Sequence, residues 1–459
     1  MGTILTSGPT YEEMRNPATL PPALRKRALE VAHGDPLDPL NLFNITWKNR
    51  ENRVRHVVLL KELTGVAANV IVLLARDFPS GSHKVGPAYT TLIEGELAGE
   101  IHPGRNTIIG PSTGNFGIGT AYIARLMKYR CVVVMPEQMS AERYERIRRY
   151  GAELDLTPGS ESDVILVLER TRDHYRKDPQ NKVLAQFELL PNYRFHRHVT
   201  GDAALEAAKG VGNGRVAAFV CAPGSAGTLA AGDEIKSRFA DAAIVAVEPQ
   251  ECPTLTDNGR GTHRIEGIGD KMVPLIHNVL TTDYVARVHD DDCVAGLKVL
   301  EHGRGVLEKT LRLPAGALDR LGGWFGISSV CNIIGALKAV KLLGLGAGDN
   351  VVTVATDGFD RYPSVMADLE KRRGPIGDDT IASWYEEIFR GASPANILDV
   401  RPAREKERLF RQKREVWTQF GYQDAYLEQM KSQAFWDAEY ARIGEIDRGV
   451  AAGRKLPSP

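Results

Sequence analysis

The chain has 459 residues, more than a single hydrophobic core usually organises, so two or more packed domains are expected. Hydrophobic residues make up 43% and charged residues 25%, while Lys+Arg and Asp+Glu balance at 58 each. That neutrality argues against a general affinity for nucleic acid or an anionic membrane surface, yet leaves room for a small, local positive site.

The first 50 or so residues are broken by Pro17, Pro21, Pro22, Pro36 and Pro39, and short pieces wrapping the main body are expected there. The opening Met1-Gly2-Thr3-Ile4 lacks the basic-then-apolar order of a secretory signal. The apolar runs are too short and too often interrupted to span a bilayer, so the expected location is the cytoplasm. From residue 69 onward, short β-branched runs alternate with segments of helical character. Runs at 69–74, 107–109, 131–135, 216–220, 244–247 and 351–355 read as buried strands of a mainly parallel α/β sheet. The intervals 119–128 and 140–150 are long enough for crossover helices, with Ser140 as a cap and Arg146, Arg148 and Arg149 favouring the far end of the second. Beyond residue 393 the tail is charged and aromatic. Leu409, Val416, Phe420 and Leu427 recur at helical spacing beside Phe410 and Trp417, a stripe that favours packing on the body or another subunit over a free coiled coil. The five cysteines show no C-x-x-C pair, so neither a zinc site nor a redox dithiol is expected, and Cys131 and Cys221 read as buried thiols.

Three loops, each directly behind a strand, carry the chemistry. Pro79-Ser80-Gly81-Ser82-His83-Lys84 holds a lysine at a sheet edge, where ligands of α/β folds collect. Alone, such a lysine is ordinarily a solvated surface residue. Pro111-Ser112-Thr113-Gly114-Asn115-Phe116-Gly117 offers hydroxyls, an amide and free N–H groups at a helix start, which suit an anion, though a well-capped turn reads the same way. Ala222-Pro223-Gly224-Ser225-Ala226-Gly227-Thr228 lets backbone N–H groups approach a phosphate closely. It is neither a Walker loop nor a Rossmann fingerprint. A reactive lysine, an anion loop and a phosphate cradle in that order are much stronger together than any one of them.

In these segments, over roughly residues 70–362, the chain resembles the fold-type II pyridoxal-phosphate enzymes, the group of cysteine synthase, cystathionine β-synthase, threonine synthase and the tryptophan synthase β subunit. The resemblance implies that Lys84 holds the cofactor as a Schiff base. It implies that Ser112, Thr113, Gly114 and Asn115 bind the amino-acid carboxylate, with Asn115 also meeting the cofactor's phenolic oxygen. Gly224, Ser225, Ala226, Gly227 and Thr228 would cradle the phosphate, with His83 as a phosphate or structural contact. Gln186-Phe187 resembles the pair whose glutamine meets the substrate carboxylate, and His263–Gly269 the segment lying over the re face of the cofactor. The family's hydroxyl to the pyridine nitrogen has no clean counterpart. Ungapped alignment puts Gly358 there, leaving Thr356, the preferred choice, and Asp357 as the available side chains. A hydroxyl would weaken the electron sink and suit rapid β-elimination, whereas a carboxylate would hold the ring protonated.

The expected activity is therefore β-elimination or β-replacement on an amino acid through an aminoacrylate, in a lyase or synthase. An amino-acid racemase or γ-acting enzyme of the same fold, and a non-catalytic binding homologue, are the alternatives. A nucleotide-binding use of 224–228 lacks its acidic metal partner and phosphate lysine, and no metal is expected. Arg260, Arg264 and Lys271 could receive a second acidic group on the substrate, or pair on the surface. The expected architecture is two three-layer α/β domains with mainly parallel sheets: 51–84 and 201–392 as the larger, cofactor-binding one, and 85–200 inserted as the smaller. Residues 1–50 would wrap the body, 393–459 would form a helical extension, and a homodimer is the assembly that the resemblance implies.

Overall fold

The computed structural model describes residues 8–268 and 271–454. Gly269, at the end of the segment 263–269, lies outside the described residues, as do 1–7 and 455–459 of the two extensions.

Every apolar run expected as a strand forms one. There are β1 (His56–Val58), β2 (Asn69–Leu74), β3 (Thr107–Pro111), β4 (Arg130–Pro136), β5 (Glu153–Thr157), β6 (Asn181–Val183), β7 (Val216–Cys221), β8 (Ala243–Pro249), β9 (Tyr284–Val288), β10 (Asn350–Ala355) and β11 (Ile397–Asp399). They make a seven-stranded sheet in the order β1-β2-β10-β7-β8-β9-β11 and a four-stranded sheet in the order β5-β4-β3-β6. Pairing is parallel throughout except at the edges of the large sheet, where β1 runs against β2 and β11 against β9.

The layering follows from the two-residue period of a strand. Along β2, Ile71 and Leu73 enter one hydrophobic core while Val70, Val72 and Leu74 enter another. Along β10, Val352 and Val354 join the first and Val351 and Ala355 the second. Both faces are covered, which is why these strands are continuous apolar runs rather than alternating ones. The helices needed below are α1 (Val85–Leu97), α2 (Asn115–Leu126), α3 (Ala141–Arg149), α4 (Ile327–Leu343) and α5 (Ala403–Trp417).

The proline-broken N-terminal segment forms short helices. The first, Tyr11–Arg15, is closed by a reciprocal cap between Thr10 and Glu13. Tyr11, Met14, Leu42, Ile45 and Trp47 sink into the same core as β2's Ile71, and the Trp47 indole donates to Thr200 Oγ1 at 2.9 Å. In the tail, Leu409, Phe410, Trp417 and Leu427 join that core, with Val416 and Phe420 packed against it. The aromatic stripe thus covers the chain's own body, and Trp417 Nε1 donates to Val273 O at 2.8 Å. β11 lies within this otherwise helical stretch and completes the large sheet's edge.

Ser140 sits at the cap position of α3, but its hydroxyl donates to Glu266 Oε2 at 2.9 Å and makes no cap bond. A buried carboxylate without donors costs more than an uncapped helix start, so the hydroxyl goes to the acid. All five cysteines are buried. Among the described residues no helix is long and apolar enough to cross a membrane.

One buried base gives this fold a pH signature. Lys413, on α5, is 1% exposed, and its ammonium donates to Leu275 O at 3.0 Å and His277 O at 2.6 Å. Burial pushes it down to about 7. Between about pH 7 and the ordinary lysine value, the unfolded chain binds more protons than the folded one, so stability rises with pH across that window. The contribution is lost as pH falls through about 7. The stability difference between wild type and Lys413→Met is expected to shift in favour of wild type by about 1 kcal/mol per pH unit from 7.5 to 9.5. Denaturation midpoints of both proteins across that range check it, and parallel curves would show that Lys413 titrates elsewhere.

Candidate active site

Lys84 lies where the reach of β2 ends and α1 begins. The turn before it is tight: Gly81 adopts φ +80°, and a Cβ there would stand 2.9 Å from Arg361 Nη1. Ser82 Oγ accepts from Lys84 N at 3.3 Å, and Ser82 bridges to Asp357 just beyond β10. Lys84 is 6% exposed, and its Nζ donates to Ser225 Oγ at 3.2 Å. The lysine loop and the glycine loop therefore meet, although 141 positions separate the two residues.

The second loop leaves β3 and enters α2. Ser112 Oγ accepts from Gly114 N at 3.0 Å and Gly117 N at 2.8 Å, pinning the loop to the helix start. A Cβ at Gly114 would fall 1.6 Å from Arg143 Nη1, so only glycine lets the buried guanidinium lie against this backbone. The third loop leaves β7. Gly224 and Ala226 both take left-handed conformations, φ +48° and +65°, the latter unusual for a residue with a Cβ. Gly224 N donates to Ile268 O at 3.1 Å, which places the segment 263–268 beside this loop.

A narrow cleft opens among Lys84, Ser112, Thr113, Gly114, Asn115, Phe116, Glu161, Gln186, Phe187, Gly224, Ser225 and Gly267. Ala226, Gly227 and Thr228 continue the loop behind it, where Thr228 Oγ1 stands 3.5 Å from His83 Nε2. Thr356 and Asp357 lie past the end of β10 and outside the cleft wall. Asp357 is linked to it through Asn115, whose Nδ2 donates to Asp357 Oδ2 at 2.6 Å and whose Oδ1 accepts from Arg361 Nε at 2.7 Å. Both ends of the Asn115 amide are thereby fixed.

Around Asp357 lies a buried charge network. Tyr362 donates to it at 2.8 Å, and Arg143 and Arg361 stand 3.8 and 3.9 Å away. Arg143 also donates to Tyr362 at 3.0 Å and pairs closely with Glu266. Burial alone would depress the Arg143 guanidinium, but Glu266, Tyr362, Asp357 and Glu161 hold it above the usual arginine range. Burial pushes the Glu266 carboxyl up, opposed by Arg143 and Ser140. Arg264 pairs with Asp290 at 3.2 Å and with Asp291, and Lys271 with Asp163 at 2.9 Å, so the surface pairing weighed for those two cations is the one found.

A profile of the family described as pyridoxal-phosphate dependent enzyme matches residues 60–357. The chain belongs to this family. Over 302 residues the enzyme is 33% identical to a cysteine synthase of Staphylococcus aureus (strain Mu50 / ATCC 700699), a match covering 65% of this chain and 88% of that protein. A hydrogen sulfide-producing enzyme from Fusobacterium nucleatum is similar in structure, with a TM-score of 0.57 and 25% identity over 67% of this chain and 95% of its own. A cysteine synthase from Entamoeba histolytica shares the fold, with a TM-score of 0.60 and 23% identity over 73% of this chain and 92% of its own. The architecture is that of the fold-type II group, and the protein is a pyridoxal-phosphate-dependent enzyme acting at Cβ of an amino acid by elimination or replacement.

The residues present fit that cofactor. Three buried polar atoms without a partner among the described residues, His83 Nδ1, Asn192 Oδ1 and His196 Nε2, gather at the 224–228 loop. A Cβ on Gly227 would stand 2.0 Å from Asn192 Oδ1 and 2.8 Å from His196 Cδ2, and the two imidazoles meet edge to face at 4.9 Å. Burial, then Lys84, depresses His83; burial, then His83 and Lys84, depresses His196, so both rings are neutral at pH 7. Neutral imidazoles, hydroxyls and backbone N–H groups suit a phosphate. Sequence reasoning missed Asn192, His196, Arg143, Glu161 and Arg361. Asn192, His196 and Arg143 follow no glycine-bearing turn; the available signals were Pro158-Gly159 before Glu161 and the run Asp360-Arg361-Tyr362 after the last strand of the resemblance.

Proposed function

We propose that Lys84 is the cofactor-binding and proton-moving residue of a lyase or synthase acting on a β-substituted amino acid. The single observation that carries this is Lys84 Nζ, buried and 3.2 Å from Ser225 at the mouth of a cleft lined by Asn115 and Gln186. Pyridoxal phosphate, once bound, supplies the electron sink for a carbanion at Cα. The chain's residues do the rest. The 224–228 loop, with Thr228 and neutral His83 behind it, holds the phosphate. Asn115, clamped by Asp357 and Arg361, fixes the ring's orientation. Ser112, Thr113, Gly114 and Gln186 receive the substrate carboxylate, and the Lys84 amine takes the α-proton and returns it.

Thr356 and Asp357 are the available partners of the pyridine nitrogen. Asp357 is fully buried and its Oδ1 has no hydrogen-bond partner among the described residues, but Oδ2 is already used by Asn115 and Tyr362. Thr356 stands next to it at the end of β10 with its hydroxyl in no bond to these groups. This supports Thr356 toward the ring and Asp357 as the residue that positions Asn115.

The two sheets further support a division into a larger body, 51–84 and 201–392, and a smaller one, 85–200, with the cleft between them. Ser140, Arg143 and Arg146 of the smaller face Glu266, Tyr362 and Asp360 of the larger, a set of contacts suited to closing over a bound carboxylate and excluding water. A cytoplasmic homodimer, the assembly implied by the resemblance, belongs to the same reading, and sedimentation of the purified protein at micromolar concentration tests it. The activity is tested by adding neutral β-substituted amino acids to the holoenzyme. A visible spectral change accompanied by release of keto acid and ammonia is expected for elimination, and one that needs an added thiol or sulfide for turnover is expected for replacement. Exchange of the α-proton without loss of any β-substituent would favour racemisation instead.

A further inference from the structure

The N-terminal extension builds a second pocket, apart from the cleft. It encloses about 430 Å³, enough for a small organic molecule, between the helix Pro22–Val31, the turn 48–51 and the residues 77–79 that run from β2 toward Lys84. Residues 25–55 supply most of its wall and precede the stretch 60–357 that the family profile matches, so the pocket belongs to this chain's own extension. Leu29, Pro36, Phe78 and Tyr122 give it an apolar side. Phe78 packs edge-on against Trp47 at 5.0 Å, and Trp47 lies 5.6 Å from the His83 ring. An occupant therefore rests against the packing that leads to the lysine loop.

The charges around this pocket do not cancel. Lys48 pairs with Glu206 at 2.6 Å, and Arg55 stands 3.7 Å from Asp77 while its Nη1 donates to Thr46 O at 2.9 Å. Arg50 and Glu51 are neighbours on the exposed rim. Arg25 is left over. Its Nη2 donates to Asn49 O at 3.1 Å, and among the described residues no carboxylate pairs with it. Burial draws the Arg25 guanidinium down with no acid to offset it. Arg55 is drawn down by burial, held up in part by Asp77, and drawn down again by Arg25. Two guanidiniums thus face one pocket with the half-exposed Asp77 as their nearest acid. One positive charge remains to be neutralised, which a single carboxylate does and a phosphate dianion would overshoot.

We propose that this pocket binds a small organic monocarboxylate, its head held by Arg25 and Arg55 and its apolar body laid against Leu29, Phe78 and Tyr122. The site is tested by calorimetric titration of the holoenzyme with 3-phenylpropionate, beside acetate (the head without the body) and phenethylamine (the body with the opposite charge). Wild type is expected to bind 3-phenylpropionate with a Kd below about 1 mM, at least about tenfold tighter than either control. Arg25→Gln is expected to weaken 3-phenylpropionate about tenfold or more, the scale of one charge-assisted hydrogen bond, with folding read from the thermal midpoint. Arg55→Gln is expected to give a similar loss without altering the helix that carries Arg25. No saturable binding to wild type up to about 10 mM would overturn the proposal. So would an affinity unchanged in Arg25→Gln, which would place the carboxylate elsewhere, the catalytic cleft included. Acetate or phenethylamine binding as tightly as 3-phenylpropionate would overturn it too, the first by removing the apolar contact and the second by removing the charge.

Discussion

Lys84→Ala is expected to fold, to take up pyridoxal phosphate weakly, and to show no visible band of lysine-bound cofactor, with turnover reduced by at least about a thousandfold. The fold survives because the side chain contributes little to it. Loss of the 3.2 Å bond from its Nζ to Ser225 Oγ costs about 1 kcal/mol. Residual uptake follows from the phosphate loop, whose backbone and whose neighbours His83 and Thr228 are untouched by the change. An absorption spectrum of wild type beside the variant, each with added cofactor, checks this. A band of equal strength in both would remove Lys84 from its role, whatever the activity.

Gly227→Ala should act on the cofactor from the other end. Its backbone is ordinary, with φ −56°, so no conformational penalty arises. The obstacle is space: the new methyl would stand 2.0 Å from Asn192 Oδ1 and 2.8 Å from His196 Cδ2. Asn192 cannot simply turn aside, because its Nδ2 donates to Ser225 Oγ at 2.9 Å and to Gln186 O at 2.8 Å. The loop must therefore shift. Overpacking of this kind costs about 2–3 kcal/mol, which corresponds to a loss of about 30- to 150-fold in affinity for pyridoxal phosphate. Titration of the apo-protein with the cofactor measures it, and an unchanged affinity would mean that the phosphate lies elsewhere.

The parts legible in the sequence were those built from neighbours along the chain. A buried parallel strand must be an apolar run, and a loop that turns sharply behind it must contain glycine, so β2, β3 and β7 and the loops ending at Lys84, Asn115 and Thr228 could be read directly. The network behind them could not. Arg143 looks like any other arginine on a helix rich in them, and only folding reveals that it is buried between Glu266 and Asp357. Glu161 sits in a Ser-Glu-Ser-Asp stretch that composition alone would leave to solvent. Ser140 was correctly placed at a helix start, yet its hydroxyl serves a carboxylate 126 positions away, a competition that local pattern cannot register. β11 was too short, at three residues, to stand out from the charged tail around it.

The pairing of β2 with β10 bears on how the protein is made. The Asn69 amide donates to Asn350 Oδ1 across 281 positions, and β10 stands between β2 and β7 in the finished sheet. A ribosome releases the lysine strand well before its central neighbour, which follows 281 positions later. Until then β2 exposes an unpaired edge and the lysine loop has neither Asp357 nor Arg361 to hold it. Contacts of such separation slow folding and prolong exposure of unpaired strand edges, so the site is completed only after residue 361 has emerged.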